Sequence, residues 1–402
     1  MKIQKFCKWL VVVLFIGGIF AVCIGTVVSY PNKLYQSVTR NSIVDQYMGD
    51  DPSLAERIQA RFLSFENTVN SYLFGRDAGL SLNIAMQNAM GKQIMQFGSD
   101  KMVTLNTGHL YDLVPETDVQ EQLDNVIAMR DDVFGDIPMV YVYAQSTLYD
   151  EAMLPEGVAM MDHNMEIADE VVSTLENAGV EVIDSREVLN ACGYPLEELI
   201  LYTDQHWSSK AGLVMAGEIA RNLADKGVPV AAENLDMDQF DSKTYEASFL
   251  GKYGQRIGSG NTQLDDMTAF WPKYDTDIHR VTRSRSTIDG EAQGRFEDAA
   301  IRWADFEDDK DCDYSTQSYM AYGLTEAEEI YTNNKLTEGR ILVVKDSFGA
   351  SVNSFLSLCA HEVWGVDLRH SEKSIEEYVQ ELQPDAVVFV YSQQVLRDFD
   401  AQ

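Results

Sequence analysis

Three side chains in this sequence have the types and setting for nucleophilic chemistry. Asp204 and His206 lie two residues apart in Leu201-Tyr202-Thr203-Asp204-Gln205-His206-Trp207-Ser208-Ser209-Lys210. Held where a strand turns into a helix, such a pair can present a carboxylate and an imidazole to one side, the acid/base half of a hydrolase-type triad, and it calls for a nucleophile. Ser347, in Arg340-Ile341-Leu342-Val343-Val344-Lys345-Asp346-Ser347-Phe348-Gly349, is the candidate. Each has a plainer reading: a satisfied, partly buried histidine, an Asx-turn acceptor and an ordinary N-cap serine. The three together favour catalysis, with Asp204 holding the tautomer and orientation of His206.

The elements that must position them follow from local pattern. The apolar run from Glu198 to Tyr202 predicts a strand that turns into a helix beginning near Ala211, with Ser208 or Ser209 as its cap. The apolar residues before Lys345 predict a buried strand, so Ser347 falls at a strand-to-helix turn ahead of a helix over 351–358. In an open α/β fold a hydroxyl there projects from the carboxyl end of the sheet, and its own N–H can face an oxyanion.

Asp204-Gln205-His206-Trp207 and Lys345-Asp346-Ser347-Phe348-Gly349 resemble the two signature motifs of the DHHW proteins. Those belong to the alginate O-acetyltransferase-like branch of the SGNH hydrolase superfamily. The resemblance covers roughly residues 40 to 400, and its motif order is that branch's permuted one, with the His block before the Ser block. It implies an SGNH-hydrolase-like parallel sheet flanked by helices. It also implies O-acyl, specifically acetyl, transfer to a cell-envelope or exported polysaccharide, without a cofactor, from a donor supplied by a membrane-bound O-acyltransferase partner.

By the same resemblance Trp207 belongs to the site, and the stretch from Phe249 to Gly258, with Gly251, stands for the glycine oxyanion block. The family's asparagine is missing after the apolar run from Ala386 to Tyr391, where Gln393 or Gln394 could donate an amide instead. Arg369, in Asp367-Leu368-Arg369, either pairs to fix its loop or touches substrate. Asp346 reads as a scaffold acceptor before a second base. An acetyl esterase with the same three residues, or a non-catalytic glycan-binding scaffold, are the competing functions.

At 402 residues the chain can bury a large core. Trp9 to Val28 is a nearly unbroken apolar run behind Lys2, Lys5 and Lys8, long enough to cross a bilayer of about 30 Å. The lysines place the short N-terminal side in the cytoplasm and the remainder outside. An uncleaved anchor is expected over residues 1–30, a helical connecting segment over 31–98, and a catalytic domain over 99–402 with an insertion at about 240–335.

Net charge is −33; without the +3 of the three anchor lysines, residues 31–402 carry −36. That surface repels nucleic acid and anionic headgroups. The five cysteines, Cys7, Cys23, Cys192, Cys312 and Cys359, permit one external disulfide but no framework, and no Cys/His spacing resembles a metal site. Strands are expected at 139–144, 180–184, 362–366 and 386–391, and helices at 158–177 and 374–382.

Overall fold

The computed structural model describes residues 2–39, 53–284, 287–307, 314–316, 318–323 and 328–392. The chain divides into two compact units, Met1–Met86 and Gln87–Gln402.

The first unit is helical. Helix α1 (Lys2–Ser29) contains the segment Trp9–Ser29, which is long and apolar enough to cross a membrane. Trp9, Phe15 and Val28 stand exposed along it. Helix α2 (Pro31–Thr39) pairs with α3 (Leu54–Ser71), where the Ser64 hydroxyl donates to the Ser37 carbonyl. Ser53 caps α3 through a reciprocal capping box with Glu56. Helix α4 spans Arg76–Ala89.

The second unit is an α/β domain. A small antiparallel sheet of β1 (Ile94–Phe97), β2 (Asp100–Thr104) and β3 (Leu110–Asp112) precedes the main sheet. Five strands of that main sheet are mutually parallel: β4 (Met139–Tyr143), β5 (Glu181–Asp184), β11 (Arg340–Lys345), β12 (Glu362–Val366) and β13 (Ala386–Tyr391). Their order is β5-β4-β13-β11-β12. In β4 and β13 every residue is buried, as for strands covered on both faces. Covering helices include α5 (Gln120–Met129), α6 (Asn164–Asn177), α7 (Ser185–Ala191), α8 (Ser209–Asp225), α11 (Gly349–Leu356) and α12 (Ile375–Leu382).

The region 240–335 does more than interrupt the domain. It contributes β6 (Phe240–Phe249) and β7 (Asp265–Pro272), a hairpin, with the short helix α9 (Lys252–Ile257) between them. It then adds β8 (Ile278–Ser284), β9 (Thr287–Gly294), a turn of helix α10 (Phe296–Ala299), and β10 (Glu328–Asn333). Strand β10 runs antiparallel against β12, and β8 and β9 follow, extending the main sheet to eight strands.

Two local expectations are corrected. Glu198 to Tyr202 is no strand: a 3₁₀ turn at Leu196–Glu198 leads into a loop closed by the isolated bridge Ile200–Trp207. Its Leu199, Ile200 and Leu201 are apolar because the loop itself is buried. The helix expected from Val158 begins at Asn164, since Asp162 leaves helical geometry and accepts from the Tyr111 hydroxyl and the Val114 amide.

Candidate functional site

Ser347 occupies the turn between β11 and α11, at the carboxyl end of the parallel sheet. The preceding Asp346 is fully buried and shapes this turn. It accepts from the Phe348 amide (2.8 Å), the Ser392 amide (2.8 Å) and the Ser392 hydroxyl (2.7 Å). Burial pushes its carboxyl above the usual range against those three bonds. Both Asp346 oxygens face the scaffold, which is the acceptor role.

The His206 loop arrives from the other direction, just before α8, whose N-cap is Ser208. His206 Nε2 lies 2.7 Å from Ser347 Oγ, and its Nδ1 lies 2.6 Å from Asp204 Oδ1. A carboxylate only accepts, so Nδ1 carries the proton and Nε2 is left to accept from the serine hydroxyl. Asp204 Oδ1 also takes the His206 amide (3.2 Å), and Oδ2 takes the Lys252 amide (2.7 Å). Burial of Asp204 raises its pKa, but the neighbouring His206 and these donors prevail and hold the carboxyl below the usual range.

Gly251 serves this arrangement by having no side chain. A Cβ there would overlap the Asp204 side chain and come within 2.6 Å of the Thr203 carbonyl. Its amide donates to Thr203 Oγ1 (2.7 Å), so it is not aimed at an oxyanion, which corrects that expectation. Trp207 is likewise structural: it is buried, its indole N–H donates to the Phe348 carbonyl (3.1 Å), and its ring meets Phe348 edge-on. It ties the histidine loop to the serine turn. Arg369 makes a two-point pair with Asp367, and also lines the space in front of Ser347. Gln393 and Gln394 lie outside the described residues.

Two further residues had no signal in sequence. Tyr319 stacks on the His206 ring, with centroids 4.5 Å apart and planes 12° apart. It belongs to an irregular stretch with no periodicity to mark it. Asp265, at the start of β7, accepts from the Tyr202 amide (2.5 Å), the Thr203 amide (3.0 Å) and the Thr203 hydroxyl. Burial pushes its carboxyl up to about 7 against those three donors. Thr203 relays this anchoring to Gly251 and, through its carbonyl, to the Gly254 amide (3.0 Å).

The hydroxyl of Ser347 opens onto a groove of about 380 Å³ shared with His206, Lys252, Gln255, Thr316, Arg369 and His370. A larger cleft of about 560 Å³, between Glu198, Lys210, Ser242, Gln263 and Asp266, does not reach the serine. Because Ser347, His206 and Asp204 line the smaller space together, that groove is the candidate active site.

Residues 136–296 match the family model described as "SGNH hydrolase-like domain, acetyltransferase AlgX". That stretch is similar to an SGNH hydrolase-like domain. Solved structures extend the likeness beyond the matched residues. A DHHW family protein from Eubacterium siraeum is 16% identical with a TM-score of 0.59, over 77% of this chain and 96% of that one. Bacillus cereus PatB1 is 18% identical with a TM-score of 0.57, over 74% and 97%. These likenesses, each over about three quarters of the chain, concern the fold alone. No curated protein matches the sequence.

Among the described cysteines, Cys23, Cys192 and Cys359 are free thiols, while Cys312 lies outside the described residues.

Proposed function

We propose that this protein is an O-acetyltransferase acting on a cell-envelope or exported polysaccharide, with Ser347 as nucleophile, His206 as base and acid, and Asp204 as orienter. The observation that carries the reading is the continuous Asp204–His206–Ser347 relay, with links of 2.6 and 2.7 Å, opening on a groove. The similarity to a family model named for an acetyltransferase supports the choice of acyl transfer.

In the first half-reaction the Ser347 oxygen adds to the donor's acyl carbon as His206 Nε2 takes the hydroxyl proton. The donor C–O bond then breaks, and the proton leaves on the departing oxygen. In the second, a sugar hydroxyl gives its proton to His206 and attacks the seryl ester, and the proton returns to Ser347. The amide of Ser347 itself is the first candidate to stabilise the intermediate's oxyanion. Helix α1 anchors the chain, with the SGNH-like domain outside the membrane. The donor comes from a membrane-bound O-acyltransferase partner.

A carbohydrate acetyl esterase is the second reading, favoured by a groove open enough to admit water. Incubating the protein with an activated acetyl ester and an oligosaccharide acceptor separates the two. Acetylated oligosaccharide in excess over free acetate supports transfer. Free acetate alone, unchanged by acceptor concentration, makes it an esterase. A folded protein that gives neither product contradicts both.

A further inference from the structure

We infer that a narrow nook beside Ser347 selects the acyl group by length, admitting acetyl and rejecting longer chains, with Met267 as the wall that sets the limit. This inference rests on the acyl-enzyme reading above.

Ser347 stands between two spaces that share His206 and Tyr319 as well as the serine. One is the open groove. The other has room for about one water-sized centre, ≈ 10 Å³, and is lined besides by Trp207, Ser209, Met267, Ser318, Tyr322 and Ser351. An acyl carbon bonded to Ser347 Oγ carries two other substituents that need separate places: the alkyl group and the departing or incoming oxygen. A sugar or a carrier fits only the groove, so the alkyl group takes the nook. A methyl group is about the size of one water, and a space of this volume holds about one such sphere.

Most of the walls cannot retreat. Tyr322 is pinned at its hydroxyl by the Phe270 amide (2.5 Å) and the Phe270 carbonyl (2.8 Å). Trp207 is held by the Phe348 carbonyl. Ser351 is wedged against Gly212 of α8, where even a Cβ would overlap its hydroxyl. Met267, buried on β7, is the one flexible, unbranched apolar wall, a thioether chain with three rotatable bonds. Shortening it lengthens the nook without disturbing the relay.

The test measures acylation of Ser347 in the full-length protein in detergent, using nitrophenyl acetate, propionate and butyrate. The Ser347 oxygen–acyl bond forms as the ester C–O bond breaks and nitrophenolate departs. Wild type is expected to lose about 10–200-fold in rate per added methylene. Met267→Ala is expected to recover at least about tenfold of the loss for propionate, and Met267→Leu to behave as wild type. Equal wild-type rates for acetyl and butyryl overturn the nook as a filter while leaving the acyl-serine intact. An unchanged preference in a folded Met267→Ala overturns the assignment to Met267. No acylation by any of the three esters overturns both this inference and the proposed function.

Discussion

At the scale of single residues, the site depends on groups that never touch substrate. Gly251 is the clearest. Because any Cβ at 251 would push on Asp204 and on the Thr203 carbonyl, Gly251→Ala is expected to displace the carboxylate from His206. Misplacement of about 1 Å costs on the order of 10²-fold in rate, so the variant should lose kcat at that scale while melting within a few degrees of wild type. Steady-state kinetics alongside a melting curve checks it.

Asp265 gives a pH prediction. Its folded pKa of about 7 stands above the ordinary aspartate value near 3.9, so between those limits the folded state keeps a proton that the unfolded chain has lost. Its contribution therefore makes the protein less stable as pH rises from about 4 to about 7, and is level above that. The size is of order 4 kcal/mol. Asp265→Asn lacks this titration, so its stability relative to wild type should improve from pH 5 to pH 8. Denaturant midpoints at the two values measure it; parallel pH dependence in both proteins contradicts the role.

Residue motifs were legible in sequence because the spacing of Asp204 and His206 and the run before Ser347 carry local constraints. Their scaffolding was not. Thr203, Gly251 and Asp265 meet only because β7 and the loop before α9 return to the His206 loop, over separations of 48 to 63 residues. Tyr319 reaches His206 from further still, and no local pattern announces a stacking ring.

At the scale of elements, the carboxyl-terminal run of β11, β12, α12 and β13 was readable almost to the residue. Each parallel strand there is an uninterrupted apolar stretch bounded by polar turns. The strands of the 240–335 region were hidden, because they carry charge into the sheet. Arg280 on β8 and Glu329 on β10 are both buried and pair at 2.5 Å, and Arg280 lies over the Tyr331 ring. A charged pair in the core breaks the apolar signature of a strand while remaining compatible with one. Removing one partner leaves the other charge buried, so Glu329→Ala is expected to cost about 3–5 kcal/mol of stability. Replacing both with apolar residues of similar volume should recover much of that. Equilibrium unfolding of the single and double variants decides it.

At the scale of the whole molecule, a highly acidic chain is joined to one strongly apolar helix. The net charge of −33 disfavours binding to anionic lipid surfaces, so α1 is the segment on which the proposed membrane attachment rests. The full chain is expected to stay with membranes through washes in high salt and alkaline carbonate, and residues 31–402 alone to be released. Release of the full chain by salt contradicts an anchoring role for α1.

The most direct test of the central claim is the identity of the acylated atom. The protein is treated with an activated acetyl ester, quenched in acid and examined by intact-protein and peptide mass spectrometry, with Ser347→Ala and His206→Ala in parallel. The relay predicts one acetyl group on Ser347 in wild type, none at position 347 in the alanine variant, and accumulation slower by roughly 10⁴-fold or more without the histidine. An acetyl group that forms equally fast in all three proteins, or that maps elsewhere, contradicts it.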